Sequence, residues 1–372
     1  MPSISDLSAT TVLTPQVLEA IRNRAPGFDQ RNEFFSDDLE VLKSIGYLAP
    51  RSLSQMVYDQ RLLAAHAPAT ALGVGMHLTW MGVARDMVAL GHDHLKWVLD
   101  DGKAGELFAF GVSERGNDRV LSDSLTEVRR TPEGYEFFGT KIFVSTSPAW
   151  TRMSVLGKMG EEIVHGFISR DQPGWSQTKD WDTLGMRATQ SYTTELDGVV
   201  VTPERVARVL PVGANRDPFT VAIFQNFLLL VSSVYAGIAD RALELAVDAA
   251  IEKKSALAGG TAHAEDPDIR WRAADAAIGL DALTPQLETY ASWVDKSMTK
   301  PETWFRLLSG VKHQSVETSR RVVDQAMRIV GGSGYRNGHE LSRLQRDVLA
   351  GIYHPSDTEA VHHTVAFDLF GF

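Results

Sequence analysis

Residues 326–357 read AMRIVGGSGYRNGHELSRLQRDVLAGIYHPSD, and this stretch decides the organisation of the C-terminal part of the chain. An apolar helical pattern runs into two adjacent glycines, and glycine is the residue that most often follows the end of a helix. A second helical segment then carries an Arg-Asp pair and leads into a Tyr-His-Pro sequence. The stretch therefore predicts a long helix, a sharp stop, a second helix and a short loop.

Outward from this stretch, helical spacing dominates both ends of the chain. Apolar residues recur at helical intervals over 219–254, 267–297 and 301–330, and Pro301 is expected at a helix start. Residues 1–105 are also predicted to be helical, with Thr14 and Pro15 at the start of one helix.

The middle of the chain has a different pattern. Short runs rich in β-branched and aromatic residues are separated by Pro-Gly and Asp-Gly turns, which predicts a small antiparallel barrel or sandwich. These runs are 107–112, 125–130, 134–144, 153–156, 166–168 and 192–201. We therefore predict a mostly helical α+β protein with an N-terminal helical domain (1–105), a central β domain (106–211) and a C-terminal four-helix bundle (212–372).

Composition excludes several classes of function. The 372 residues include no cysteine, so disulfides and thiolate chemistry are excluded, and the net charge of −10 argues against a nucleic-acid-binding protein. The apolar segment 219–239 is about as long as a membrane span, but Gln225, Asn226 and two serines interrupt it, so we expect a buried helix. The start, MPSISDLSATTVL, lacks the pattern of a signal peptide, and a cytoplasmic location is expected.

Several segments, in their order and spacing, resemble the acyl-CoA dehydrogenase superfamily over nearly the whole chain. They are LFAFGVSERGNDRV (107–120), GYEFFGTKIFVST (134–146), LGMRATQSYTTELDGVVVTPERV (184–206), residues 235–246 and the C-terminal stretch quoted above. The resemblance implies a flavin-dependent oxidoreductase whose cofactor lies where the β domain meets the helices. It also implies a homotetramer or dimer with shared flavin sites.

The resemblance implies positions for the isoalloxazine ring of the flavin. Phe110, Val112 and Ser113 would face the ring, Phe143 would pack on it, and Ser145 would lie near N5. Taken one at a time, the two phenylalanines are equally typical of a protein core and the two serines of ordinary strand ends.

The resemblance also implies contacts to the rest of the cofactor, beyond the ring. Gly331 and Gly332 would let a neighbouring subunit's backbone approach the dinucleotide, although two glycines after a helix also serve as a simple stop. Ser356 matches a family threonine near the cofactor, and Arg328 replaces a glutamine near the adenylate. Asn117 is a candidate cofactor-binding residue in a loop about two residues shorter than the family's phosphate loop. The resemblance implies FAD, and the shorter loop makes FMN the alternative.

The sequence departs from the family where the catalytic base is expected. Acyl-CoA dehydrogenases use a carboxylate to remove a proton from the substrate, and the residue after the tyrosine often supplies it. Here that residue is His354, and the second family position, within FQNFLLLV (224–231), holds no acid. Asp357 and Glu359 lie nearby, but acids there are typical of a helix start.

One branch of the superfamily, the two-component flavin monooxygenases, has a similar Arg-Asp…His segment. Those enzymes take reduced flavin from a partner reductase and activate oxygen. The resemblance implies that Ser145 holds the flavin near N5 and that His354, which titrates near neutrality, handles a substrate proton. An oxygen-using enzyme acting on a small hydrophobic or aromatic substrate is thus the leading hypothesis. A dehydrogenase with an unusual base and a non-catalytic scaffold are the alternatives, as is a structural His354 that caps the next helix.

His77, Trp80 and Tyr353 are the candidate substrate-pocket residues. The helix with His77 and Trp80 lines the pocket in this superfamily, although a buried or surface histidine is the better interpretation of His77 alone. The adjacent histidine pairs lack acids at metal-ligand spacing, so no metal site is predicted.

Overall fold

The computed structural model describes residues 4–256, 259–299 and 301–371. Its N-terminal helices are α1 (Ile4–Thr10), α2 (Pro15–Arg31), α3 (Ser36–Ser44), α4 (Leu53–Ala64), α5 (Pro68–Ala89) and α6 (Lys96–Lys103). Helix α2 begins where the sequence predicts, because Pro15 fixes the first turn and the Thr14 hydroxyl accepts a hydrogen bond from the backbone of Val17.

The middle of the chain forms one sheet. Its strands are β1 (Phe108–Gly111), β2 (Glu127–Thr131), β3 (Gly134–Val144), β4 (Arg152–Met159), β5 (Glu162–Ser169), β6 (Trp175–Thr178), β7 (Tyr192–Val201) and β8 (Val206–Pro211). The order across the sheet is β6-β7-β3-β2-β4-β5-β8, and β1 pairs with β4. Apolar side chains of this sheet, among them Phe137, Trp150 and Val199, form a separate small core.

The sheet differs from the sequence prediction in two details. It is mixed rather than antiparallel throughout, because β1 runs parallel to β4. Strands β6 and β8 were not predicted, and β6 gives little signal because its four residues, WSQT, alternate between half-buried and exposed. The bounds of β3 and β7 agree with the prediction.

The C-terminal part is helical again. Its helices are α7 (Pro218–Glu252), α8 (Pro267–Asp295), α9 (Trp304–Val330), α10 (Glu340–Leu349) and α11 (Thr358–Phe370), and a small hairpin of β9 (Lys254–Ser255) and β10 (Thr261–Ala262) joins α7 to α8. Helix α9 begins at Trp304, three residues after the expected start, because Pro301 lies in a turn and its carbonyl accepts from the Trp304 amide at 3.0 Å.

Helix α7 is the central element of the molecule. It packs against α8 and α9 of the C-terminal part and against α4 and α5 of the N-terminal part. By length and composition it could cross a membrane, but 89% of its most apolar window is buried inside the protein. The predicted order of helices, sheet and helices is confirmed, whereas the domain limits 105/106 and 211/212 stay a prediction.

Polar contacts hold the three parts together at one corner. Both Arg346 amino groups bind the Asp29 carboxylate of α2, at 2.9 and 2.5 Å. The next residue, Asp347, accepts a hydrogen bond at 2.6 Å from the backbone of Met186, which precedes β7. Helix α10 is thereby fixed to both the N-terminal helices and the sheet.

Candidate functional site

The end of β3 presents an aromatic side chain to solvent. Phe143 is 58% exposed and has a φ of 59°, a conformation that non-glycine residues rarely adopt. The Ile142 amide donates to the Ser113 carbonyl at 2.9 Å, which brings the segment after β1 beside this strand end. An exposed aromatic ring therefore lies at the end of a strand whose neighbouring residue bonds to the Ser113 backbone.

Ser145 lies two residues further on and is nearly buried. Its Oγ is 2.8 Å from Ser191 Oγ, which in turn is 2.8 Å from Thr189 Oγ1. A row of hydroxyls therefore runs inward from the strand end that carries Phe143.

These residues fit a flavin. An isoalloxazine ring has apolar faces and a polar edge, and the site offers an exposed aromatic ring in Phe143 and hydroxyls in Ser113 and Ser145. Preorganised hydroxyl and backbone groups at such an edge stabilise the charge that changes with flavin redox state. The positions of Ser113, Phe143 and Ser145 are thus compatible with the roles that the resemblance implies.

Phe110 and Val112 lie deeper than expected. Both are buried, and the Phe110 ring stacks on Phe227 of α7 with centroids 5.3 Å apart. The Trp80 ring lies 5.4 Å from the Phe110 ring, measured between centroids. The Phe110 side chain is therefore part of an aromatic group between the sheet and the helices, and only its backbone remains to face a cofactor.

Glu114 organises the loop that follows β1. Its carboxylate accepts from Lys141, Ser124 and Thr126, and from the Asn117 side chain at 2.8 Å. Burial alone would raise the pKa of Glu114, but the buried Lys141 ammonium and the hydrogen bonds lower it to about 2. Asn117 also donates to the Asp123 carbonyl, so its amide closes the loop.

His354 is half-buried and contacts a buried tyrosine. Its Nδ1 lies 3.1 Å from the Tyr235 hydroxyl, and burial, which raises the pKa of Tyr235, keeps that hydroxyl protonated. Among the described residues, Nδ1 is the one acceptor that contacts this buried hydroxyl. We therefore infer that the tyrosine donates to Nδ1 and that the imidazole hydrogen lies on Nε2. The imidazole is a donor on its other side.

The expectation that His354 titrates near neutrality is wrong. Burial, together with the nearby Lys312 ammonium, lowers the pKa of His354 to about 3. The ring therefore stays neutral at physiological pH.

Lys312 holds the loop that carries this histidine. Its buried Nζ donates to the carbonyls of Gly351 (3.0 Å), His354 (2.7 Å) and Ser356 (2.7 Å). Ser356 is thus engaged through its backbone. The next helix, α11, is capped by Asp357, which accepts from the Ala360 amide at 2.8 Å, so His354 is not the cap of that helix.

The acids near His354 have structural contacts. The Asp357 carboxylate is used in the cap, and Glu359 is exposed on α11. A further acid, Asp347, is buried. It belongs to the Arg-Asp pair in the stretch 326–357, and the sequence alone indicates no role for it. Burial raises the pKa of Asp347 to about 6, and its carboxylate accepts from the Met186 amide and faces the Arg343 guanidinium at 3.9 Å.

The α7 segment at the family's second base position is bonded within the protein. Gln225 and Asn226 both donate to one oxygen of Asp86, each at 2.7 Å. Gly82 of α5 approaches Asn226 so closely that a Cβ would lie 2.0 Å from the amide oxygen. These amides hold α5 against α7 and are not available to bind a substrate.

The prediction that His77 lines a substrate pocket is wrong. The side chain is fully buried; its Nδ1 accepts from the Phe108 amide at 3.2 Å and its Nε2 donates to the Leu48 carbonyl at 2.8 Å. Burial lowers the pKa of His77 to about 4, in keeping with this neutral form. His77 joins α5 to β1 and leaves no nitrogen for a ligand.

The other predicted site residues lie at the surface of the single chain or close to it. Gly331 (φ 69°) and Gly332 are exposed, Arg328 is exposed and pairs with Asp324 at 2.7 Å, and Tyr353 is 77% exposed. Their expected roles toward the dinucleotide and the substrate remain predictions. Within residues 4–256, 259–299 and 301–371, no three His, Asp or Glu side chains are grouped as metal ligands would be.

Comparison with known proteins places this arrangement in a family. Residues 229–356 match the protein family described as "Acyl-CoA dehydrogenase, C-terminal domain". An amino sugar nitrososynthase, DnmZ of Streptomyces peucetius, is 30% identical over 85% of this chain and 78% of its own. A putative acyl-CoA dehydrogenase, YdbM of Bacillus subtilis, is 26% identical over 95% of both chains.

The fold agrees with that result. The FMN-bound structure of TdsC, a dibenzothiophene monooxygenase of Paenibacillus, superposes with a TM-score of 0.82 over 96% of each chain at 20% identity. The chain belongs to the acyl-CoA dehydrogenase superfamily. It is a flavin-dependent oxidoreductase of that fold.

Proposed function

We propose that this protein is a monooxygenase that receives reduced flavin from a separate reductase and oxygenates a small hydrophobic or aromatic substrate. The observation that carries the proposal is the neutral His354, held by Tyr235 at the position where dehydrogenases of this family often have a carboxylate. Removing a proton beside a carbonyl needs a base that is unprotonated and strong enough, and an imidazole with a pKa of about 3 is a weak one.

A neutral imidazole suits a different task. With Nδ1 occupied by the Tyr235 hydroxyl, His354 offers an N–H on Nε2. When bound, reduced flavin supplies the electrons that activate oxygen. The protein's part is to bind the ring at Phe143, Ser113 and Ser145, to donate a hydrogen bond from Nε2 of His354, and to hold that donor in place through Lys312.

The relatives support this direction. DnmZ is an amino sugar nitrososynthase, and another relative, 29% identical over 65% of this chain, is a dibenzothiophene monooxygenase of Mycolicibacterium goodii. The dibenzothiophene enzyme acts on an aromatic compound. Aromatic compounds are therefore included among the proposed substrates.

An assembly of two or four copies belongs to the same proposal. Large apolar side chains remain exposed on the C-terminal helices of the single chain, and burying such surface favours association. They are Val247, Ile251, Trp271, Ile278, Phe367, Leu369 and Phe370. The proposal also includes a cytoplasmic location, where a reductase could hand over reduced flavin. Light scattering and cell fractionation test these two points.

Isotope labelling tests the function. The protein is mixed with chemically reduced FMN or FAD, ¹⁸O-labelled dioxygen and a panel of aromatic and heteroatom substrates, and the products are analysed by mass spectrometry. We expect one labelled oxygen atom in a product.

We also expect His354→Ala to lower product formation by at least about tenfold, because one good hydrogen bond is lost in the rate-limiting step. The control His363→Ala, at an exposed histidine of α11, should leave it unchanged.

Two results would contradict the proposal. Reduction of bound oxidised flavin by an acyl-CoA under anaerobic conditions, without labelled product, would identify a dehydrogenase. Failure to bind flavin in either redox state would identify a scaffold.

A further inference from the structure

The hydroxyls behind Ser145 form a chain that ends on a backbone carbonyl. Ser145 Oγ lies 2.8 Å from Ser191 Oγ, Ser191 Oγ lies 2.8 Å from Thr189 Oγ1, and Thr189 Oγ1 lies 2.9 Å from the Met186 carbonyl. The three hydroxyl residues are 8%, 4% and 1% exposed. Water therefore has little access to the inner members of the chain.

The carbonyl determines the direction of every hydrogen bond in this chain. A carbonyl oxygen can only accept, so the Thr189 hydroxyl donates its one hydrogen to Met186. Thr189 Oγ1 must then accept from Ser191, and Ser191 Oγ must accept from Ser145. The hydrogen of Ser145 consequently points inward, and the oxygen of Ser145 has only lone pairs to offer a ligand.

The backbone around the chain is held in uncommon conformations. Thr146, Met186 and Gln190 have φ values of 62°, 53° and 45°. The two turns that contain them are joined directly, since the Thr146 amide donates to the Thr189 carbonyl at 3.0 Å. Strained residues of this kind persist where the surrounding structure over-determines them, and they concentrate at functional sites.

The inner end of the chain is anchored as well. The Met186 amide donates to the buried Asp347 carboxylate at 2.6 Å, and the Met186 carbonyl also accepts from Trp181 Nε1 at 3.3 Å. Trp181 in turn packs edge-on against Phe143, with centroids 6.2 Å apart. The carbonyl that orients the hydroxyls is thus fixed by the same groups that support the aromatic surface.

We propose that Ser191 and Thr189 are positioning residues that make Ser145 an obligate hydrogen-bond acceptor, so that the site selects reduced over oxidised flavin. N5 of reduced flavin carries a hydrogen and can donate to Ser145 Oγ. N5 of oxidised flavin carries a lone pair, which would face the lone pairs of Ser145. The inference rests on the proposed function in placing Ser145 beside N5.

Dissociation constants for the two redox states test this inference. FMN and FAD are titrated into the full-length protein under anaerobic conditions, once oxidised and once after reduction with dithionite. The wild type should bind reduced flavin more tightly. In Ser191→Ala the Ser145 hydroxyl is free to turn outward and donate to oxidised N5, so the preference should fall roughly fivefold to tenfold, the worth of about one hydrogen bond.

The same turn offers a matched control. Ser147 is a fully buried serine close to Ser145, and its hydroxyl donates to the Val144 carbonyl at 2.7 Å, outside the chain of hydroxyls. Ser147→Ala should keep the wild-type preference. Thr189→Val, which preserves the shape of Thr189, should reduce the preference for reduced flavin as Ser191→Ala does. It replaces Ser191→Ala in the test if that variant fails to fold.

The results separate this inference from the proposed function. Equal binding of both redox states by the wild type would overturn the inference. So would a preference that is lost in Ser145→Ala and kept in both Ser191→Ala and Thr189→Val. If Ser145→Ala leaves both dissociation constants unchanged, flavin does not bind at Ser145, and the proposed site itself fails.

Discussion

Individual buried charges do much to shape the candidate site, and Glu114 is the clearest example. Its carboxylate accepts a hydrogen bond from Lys141 Nζ at 2.6 Å, and both side chains are almost fully buried. Removing one partner of such a pair leaves the other charge buried and uncompensated. The loop after β1 therefore depends on this pair for its conformation.

Glu114→Gln tests that dependence. We expect the free energy of unfolding to fall by about 3–5 kcal/mol, because Lys141 would lose its counterion in a buried position. Denaturant unfolding followed by circular dichroism measures the change. Glu127→Gln removes an acid whose ion pair with Arg129 is exposed on both sides, and no measurable change is expected there. Equal stability of the two variants would contradict this account.

At the scale of elements, close approaches between helices determine what surrounds His354. Helix α7 passes α4 at Gly237, where a Cβ would lie 2.2 Å from the Arg61 carbonyl. Tyr235, two residues earlier, reaches His354 from the same helix. The loop with His354 is held from the other side by Lys312 of α9.

Gly237→Ala should destabilise the protein despite the higher helix propensity of alanine. The added methyl group would force α7 away from α4, and such overpacking costs about 1–3 kcal/mol. At Gly310, in the second turn of α9, an added Cβ would meet nothing within 4 Å beyond the backbone of its own helix. Gly310→Ala should instead stabilise by up to about 1 kcal/mol. Thermal unfolding of both variants measures the contrast, and a shift of the same sign in both would refute it.

Lys312→Met should loosen the His354 loop. Three carbonyls would lose a charged donor, and we expect a loss of about 3 kcal/mol in stability, since hydrogen bonds to charged groups contribute roughly 1.5–3 kcal/mol each and do not add fully. Hydrogen exchange should accelerate at the amides of residues 350–357. Lys96→Met, at an exposed lysine paired with Asp93, is the control and should leave exchange unchanged. Unaltered exchange in Lys312→Met would show that other contacts hold the loop.

At the scale of the whole molecule, neutral histidines that are buried (His77, His165) or half-buried (His354) make stability depend on pH. Burial lowers the pKa of His165 and His354 to about 3 and that of His77 to about 4. Below a pH of about 6.5 the unfolded chain binds protons at these residues and the folded chain does not. Their contribution to stability is therefore complete above pH 6.5 and is lost as pH falls toward the folded pKa values.

His165→Leu isolates one of these contributions. His165 is buried beside Phe219, and its Nε2 has no hydrogen-bond partner in the part of the chain that the structure describes. As the pH falls from 6.5 to 3, the wild type loses stability that the variant keeps. The free energy of unfolding of the variant should therefore rise relative to that of the wild type by about 1.4 kcal/mol for each unit by which the pH falls. Urea unfolding at several pH values measures this slope. A difference that is independent of pH would show that His165 has the same pKa in the folded protein as in the unfolded chain.

Local signals in the sequence predicted much of the fold. The Thr14-Pro15 start of α2, the bounds of β3 and the stop at Gly331 all depend on a few adjacent residues, and each agrees with the structure. The contacts of the site depend on residues far apart in the chain. His354 meets Tyr235 across 119 positions and Lys312 across 42, and burial together with Lys312 lowers its pKa. No local pattern could indicate these contacts.

The same reason explains the error at His77 and the omission at Ser191. Both ring nitrogens of His77 are taken by backbone groups 29 and 31 positions away. Ser191 lies in a segment that carries the family resemblance, but its distance to Ser145, 46 positions earlier, depends on how β7 pairs with β3. Once the pairing of the strands is known, hydroxyl residues at the ends of paired strands can be predicted to lie close together.

The exposed ring of Phe143 has a consequence for the life of the protein in the cell. A newly made chain without cofactor presents this ring to its surroundings at the end of a rigid strand. A ligand that covers it binds only the folded form and so shifts the folding equilibrium in proportion to its own concentration. A flavin bound on Phe143, as proposed above, would thus raise the folded fraction of the chain as its concentration rises.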